Sequence, residues 1–238
     1  MPGLYRDQGV VLRTVKLGEA DRIITFMTQG HGKVRAVAKG IRKSGSRFGA
    51  RLEPTSHVML QCYRGRELDV VTQVETIDAN RALRENYACI THAVPMLEAV
   101  DQVAQEREAT PALYRMLVGA LRTLSERPSP VVTPGFFWKL LSLEGFHPVV
   151  DACARCGGEG PFPAWDLSDG GVLCGACVLG GRPIKPESAV VIAQIVGGEL
   201  GRVLAEPPDD RVLGEVERLA IATLEYHSER RLRSASLL

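Results

Sequence analysis

Residues 33–65, KVRAVAKGIRKSGSRFGARLEPTSHVMLQCYRG, run from one alternating segment through a basic stretch punctuated by glycine into a second extended segment. In the first, Val34, Ala36 and Ala38 fall on one side of an extended chain while Lys33, Arg35 and Lys39 interrupt or oppose them, the period of a half-buried strand. Outward from this stretch, GVVLRTVKLG (9–18) and DRIITFMT (21–28) precede it and ELDVVTQVETI (67–77) follows, all rich in Val, Ile, Thr and aromatics. Turn residues separate the segments at Gly18 to Asp21, at QGHGK (29–33) and at RGRE (64–67). Five short strands joined mostly by short turns predict a small closed barrel, because closure removes sheet edges. The basic stretch then joins strands three and four, where a five-stranded OB-type barrel often carries extra chain.

The chain has 238 residues, enough for two domains and a small extra module. Its composition, 45% hydrophobic and 24% charged, is that of a folded soluble protein. No apolar run reaches the roughly 18 residues of a spanning helix. MPGLYRDQGVVLR at the start lacks the pattern of a secretory signal, so a cytoplasmic location is expected. The formal net charge of +1 hides an asymmetry. Residues 1–52 hold eleven Lys or Arg against three acids, and the remainder 18 against 25, so a basic end of +8 meets an acidic body of −7.

From about residue 80 the pattern turns helical. NRALRENYACITHAVPMLEAVDQVAQERE (80–108) spaces apolar residues three and four apart, with Pro95 expected to kink it or to start a new helix. Thr110 with Pro111, and Thr133 with Pro134, read as N-caps followed by a first-turn proline, and Gly145 as a C-terminal stop. Helical spacing returns in 186–206 and 211–233 after an interlude rich in Gly and Cys. The expected organisation is a barrel domain over 1–80 and a helical domain over 81–238, interrupted by a cysteine module at about 148–182.

Cys153-Ala-Arg-Cys156 and Cys174-Gly-Ala-Cys177 are separated by 17 residues, within the window of a four-cysteine zinc site. Gly157, Gly158 and Gly175 permit the knuckle turns, and four thiolates would fill a tetrahedral shell, making a Zn2+ there structural and not catalytic. A disulfide framework needs an oxidising compartment that nothing else in the sequence supports. A thioredoxin-type motif needs only one pair, in a strand-helix setting. A zinc deaminase needs a His-x-Glu ahead of its Pro-Cys-x-x-Cys, and the one such triplet, His227-Ser228-Glu229, comes after the cysteines. Cys62 and Cys89 lie in apolar patterns and read as small core residues.

An enzyme is not expected. GHGK (30–33) lacks the spacing of a phosphate loop, the five histidines are scattered, and neither a nucleophile elbow nor a dinucleotide fingerprint is present. Binding remains: Arg35, Lys39, Arg42, Lys43, Arg47 and Arg51 on a barrel face could follow a phosphate backbone without base register. Ser44 and Ser46 could donate hydrogen bonds to phosphates. Phe48 reads first as a core anchor that pins the loop, with base stacking, shared with Tyr63, as the alternative. An RNA-binding OB protein with a zinc ribbon is the competing class.

GKVRAVAKGIRKSGSRFGARLEP (32–54) resembles the signature of the RecO family of bacterial recombination mediators. LLSLEGFHPVVDACARCG (140–157) resembles that family's passage from helix into zinc knuckle, and GGVLCGAC (170–177) its return. The order of barrel, helices, knuckle and helices extends the resemblance over essentially the whole chain. It implies an N-terminal OB fold and a helical C-terminal domain carrying the zinc module. It also implies binding of single- and double-stranded DNA without sequence preference, annealing of complementary strands, and loading of RecA, with RecR, onto DNA coated by single-strand binding protein. By position, Lys39, Arg42, Lys43, Arg47 and Arg51 become the DNA contacts and Cys153, Cys156, Cys174 and Cys177 the zinc ligands. The family's contact with the C-terminal tail of single-strand binding protein lies on the helical domain. Arg115, Arg122 and Lys139 are candidates for it, though solvated helix faces explain them equally.

Overall fold

The computed structural model describes residues 3–46 and 48–238. Five strands, β1 (Leu4–Leu17), β2 (Asp21–Thr28), β3 (Gly32–Ala38), β4 (His57–Tyr63) and β5 (Asp69–Asp78), form a closed barrel in the order β1-β2-β3-β5-β4. Only β3 and β5 pair in parallel, through Ala36 with Asp69 and Val37 with Val70, so the 39–56 connection and β4 supply the crossover that a parallel pair needs. This is the OB-type topology expected from the sequence.

β1 starts five residues earlier than the alternation indicated. Its first half pairs with β4 from Leu4 opposite Tyr63 to Val10 opposite His57, and its second half pairs with β2 from Gly9 opposite Thr28 to Leu17 opposite Asp21. Inward residues alternate along the strands: Val11, Ile24, Phe26, Val34, Ala36, Val58, Leu60, Cys62 and Val71 fill the barrel. Ile41, Phe48 and Leu52, from the 39–56 connection, belong to the same core.

Packing divides the chain into two compact units. One runs to Pro128 and takes in Leu237–Leu238; the other is Ser129–Ser236. In the first unit the barrel is joined by α1 (Arg81–Glu85), α2 (Tyr87–Val103) and α3 (Pro111–Glu126). The helical break falls at Asn86, whose side chain caps α2 by accepting from Cys89 N, and α2 runs on through Pro95. Pro111 opens α3 as expected.

The 104–110 linker between α2 and α3 is laid directly on the barrel. Lys33 N donates to Gln105 O (3.3 Å) and Arg107 N to Lys33 O (3.0 Å). Arg107, with φ 62°, sends its guanidinium to Asp69 Oδ1 and Gly65 O, both at 3.2 Å. The linker passes so close that a Cβ on Gly32 (φ +65°) would lie 1.8 Å from Glu108 O. Further contacts fix the helices: Arg13 Nε lies 2.6 Å from Asp101 Oδ2, Lys33 Nζ donates to Asp101 O (2.6 Å), and Tyr114 OH lies 2.7 Å from His57 Nε2.

In the second unit α4 (Val132–Leu143) packs against α5 (Pro186–Val196) and α7 (Asp210–Ser228), with α6 (Leu200–Ala205) against α5. α4 begins just ahead of Thr133. Ser129 makes the entry turn, accepting Val131 N at its hydroxyl and Val132 N at its carbonyl, and Thr133 is buried inside the first turn. Gly145 (φ +93°) ends α4 in a Schellman motif, with Phe146 N donating to Leu141 O and Gly145 N to Ser142 O. The interlude forms a small sheet of β6 (Ala164–Asp166), β7 (Gly171–Leu173) and β8 (Arg182–Pro183), ordered β7-β6-β8. Trp165 of β6 meets Trp138 of α4 edge to face at 5.3 Å, and Trp138 Nε1 donates to Val216 O of α7. Among the described residues no helix is long and apolar enough to cross a membrane.

Gly32→Ala is expected to lower the unfolding free energy of the first unit by about 2–4 kcal/mol, because a positive φ and a backbone collision act at one residue. Urea titration followed by far-UV circular dichroism reads this directly, and an unchanged midpoint would contradict the linker crossing.

Candidate nucleic-acid interface and metal centre

The 39–56 connection is a series of turns docked on the barrel rim. Gly40 N donates to Asp21 Oδ1 (2.7 Å), Arg42 N to Ala20 O (2.9 Å), and the Arg42 guanidinium to Glu19 O (2.8 Å) and Gly18 O (3.2 Å). The loop therefore grips the β1–β2 turn with one of its own cations. Lys43 N to Gly40 O, Ser46 N to Lys43 O and Gly49 N to Ser46 O continue the turns into a short 3-10 helix, Gly49–Leu52. Gly40, Gly45 and Gly49 all have positive φ (70°, 78° and 50°), so this backbone path itself selects glycine.

The apolar side of the loop is anchored and the basic side is turned out. Phe48 is 1% exposed within the barrel core, which settles its role as the anchor. Lys39, Arg42, Lys43 and Arg51 are exposed, with Arg42 occupied as described and Arg51 turned toward Phe48 O (3.5 Å). Arg35 is different. It leaves the outer side of β3 and lies 3.5 Å from Glu106 of the linker, so its charge is already partly matched. Arg47 lies outside the described residues. Arg115 and Arg122 are exposed on α3, and Lys139 is half-buried on α4.

The four knuckle cysteines come together as their spacing predicts. Their sulfurs all lie within 4.8 Å of one another, with Cys156 and Cys174 Sγ 3.7 Å apart. A tetrahedron with metal–sulfur bonds of about 2.3 Å has sulfurs about 3.8 Å apart, so the cluster is of the right size for zinc. The donor chemistry agrees. Backbone hydrogen bonds, above all from Cys174, pull the Cys153 thiol down to about 6, whereas its neighbours, Cys156 first, push Cys177 up to about 12. Four sulfurs this close cannot all ionise on their own, and a divalent cation is what lets them do so.

Local backbone builds the cluster. Gly157 N donates to Cys153 O, Cys177 N to Cys174 O and Cys153 N to Gly158 O. Arg155, which sequence reasoning passed over, ties the knuckles together: it donates to Cys177 O (2.7 Å) and Leu179 O (3.2 Å) and pairs with Asp169 (2.8 Å) and Asp166 (3.4 Å). The only sequence signal was its place between the two cysteines of the first pair.

A closed OB-type barrel presenting a docked basic loop defines a nucleic-acid-binding class of protein. Comparison with known families sharpens the class: the family described as Recombination protein O N terminal matches residues 1–80, and that described as Recombination protein O C terminal matches residues 84–236. The chain belongs to the RecO family, whose role is that of a DNA-binding mediator in recombination and repair.

Phe48→Ala is expected to cost about 3–5 kcal/mol of barrel stability, the usual loss for a fully buried phenylalanine. A cost below about 1 kcal/mol in urea unfolding would remove the anchor role.

Proposed function

We propose that the protein uses its 1–80 barrel domain to bind single- and double-stranded DNA without sequence preference. It anneals complementary strands without itself catalysing a reaction. With RecR, and through the C-terminal tail of single-strand binding protein, it helps load RecA onto coated DNA. Its place of action is the cytoplasm, at the nucleoid during repair. The observation that carries this reading is the docked loop: Phe48 holds it in the barrel core while Lys39 and Lys43 stand exposed on its outer side. Charges held this way meet a polyanion without a large cost in loop ordering.

Of the six cations read as DNA contacts, Lys39, Lys43, Arg47 and Arg51 are the principal ones. Arg42 contributes while holding the β1–β2 turn, and Arg35 contributes least because Glu106 faces it. The test is binding to labelled oligo-dT across a salt series. Lys39→Ala with Lys43→Ala should flatten the slope of log affinity against log salt by about 1.4, at about 0.7 per lost phosphate contact on a single strand. An unchanged slope in a folded variant would place the DNA elsewhere. An RNA competitor added to the same assay distinguishes the RNA-binding class.

Cys153, Cys156, Cys174 and Cys177 hold one structural Zn2+. Plasma emission should find about one zinc per chain, and X-ray absorption four sulfurs at about 2.3 Å. Because the ligands are thiolates, acidification should release the metal and neutral pH retain it, with the second unit losing thermal stability as zinc leaves. A protein with an unchanged melt after chelation would lack the site.

A further inference from the structure

OB barrels commonly take oligonucleotides on the outer face of strands two and three. Here the chain itself covers that face. α2 and α3 pack over β2, where the outward Thr25 and Met27 are buried, and on β3 Lys33 is held by Asp101 and Arg35 faces Glu106. α2 and α3 also pack over the second half of β1, and Tyr114 of α3 reaches Gln8 and His57, so the outer face left open is that of β5, of β4 from Met59 to Tyr63 and of the start of β1 at Leu4 and Arg6. The register sets Leu4, Tyr63 and Val70 in one row across these strands, and Arg6, Gln61 and Gln73 in the next, with Met59 and Glu75 beyond. A groove of about 350 Å3 lies over the second and third rows, lined by Arg6, Met59, Gln61, Gln73 and Glu75. A second hollow of about 330 Å3 shares Gln73 and Glu75 with it and reaches Phe48, at the root of the basic loop.

We infer that this trough along β5 receives the bases of a single strand whose phosphates lie on the 39–51 loop, with Tyr63 as the stacking platform at its far end. The inference rests on the DNA-binding reading above and adds the path of the strand. Tyr63 is 48% exposed, held in the ladder between Leu4 and Val70, so its ring is presented by rigid backbone. Arg66 is exposed just beyond it, and Arg64 stands 5.6 Å over the Tyr5 ring, keeping positive charge at that end of the trough. Gln61 is locked, accepting from Arg6 Nε (2.8 Å) and donating to Thr72 Oγ1 (3.2 Å), while the Gln73 amide is exposed. An amide both donates and accepts, so every base finds a partner, and a π-face stacks on tyrosine whatever its sequence. The Glu75 carboxylate in the same trough repels phosphate, which turns the bases inward and the backbone outward. A base stacked on Tyr63 has to be unpaired, so this surface selects single strands whereas the basic loop grips either form.

The experiment is fluorescence anisotropy of the full chain with labelled oligo-dT and with a duplex of the same length, over several salt concentrations. Tyr63→Ala should weaken oligo-dT binding about fivefold or more, leaving duplex affinity and the salt slope unchanged, and Tyr63→Phe should restore the single-strand affinity. Gln73→Ala, at an exposed amide, should weaken single-strand binding in the same selective way. Equal oligo-dT affinity for Tyr63→Ala and the native chain, or equal losses on both DNA forms, would overturn the trough while the basic loop stood. A native chain that bound neither DNA would overturn the DNA-binding reading and the trough with it.

Discussion

Fourteen residues of β1 serve two neighbours at once, β4 along Leu4–Val10 and β2 along Gly9–Leu17, and this shared pairing closes the barrel. A strand can do this only if it bends where its two partners overlap. The overlap falls at Gly9 and Val10, where a Cβ on residue 9 would sit 3.0 Å from Leu60 Cδ2, and the register shifts between Val11 and Arg13 immediately afterwards. Small size and a local irregularity at one point are thus what let the sheet meet itself. Once closed, the barrel has no edge to offer, and recognition is left to the loops at its rims and to whichever outer faces stay uncovered.

The excess of cations in the first fifty residues divides into two populations. Arg13 and Lys33 meet Asp101, and Arg35 meets Glu106, so acids from α2 and the following linker hold part of the charge in place and bind helix to barrel. Lys39 and Lys43 stand on a loop whose other side is packed in the core. The same residue types therefore act as internal fasteners on β1 and β3 and as an outward electrostatic surface only a few residues later. A net charge summed over the segment does not separate them.

Features whose cause lies within a few residues were legible in the sequence. The five barrel strands, Pro111, Gly145, the anchoring Phe48 and the paired cysteines all follow from spacing or local backbone preference, whereas the short β6, β7 and β8 of the cysteine module do not. The start of β1 escaped because Arg6, Asp7 and Gln8 break the apolar alternation, yet Arg6 lies against Gln61 and Asp7 receives Gly30 N and His31 Nδ1 from the β2–β3 hairpin. Asn86 took the helix break expected at Pro95, since a side chain that caps a new helix competes well with a proline the surrounding packing tolerates. The crossing of Gly32 by the 104–110 linker, and with it the cover over β2, joins residues more than seventy positions apart and leaves no local trace. Packing consequently groups α1–α3 with the barrel, while the change in chemical pattern falls near residue 80.

The edge-to-face contact of Trp138 and Trp165 carries a consequence for observing this molecule in solution. The chain has two tryptophans, and both lie in the second unit, one on α4 and the other in the cysteine module. Intrinsic indole emission is therefore a native optical reporter of whether the module is seated on its helices. The barrel, which holds tyrosine but no tryptophan, is silent at those wavelengths, so the two halves of the protein can be followed separately without attaching a dye.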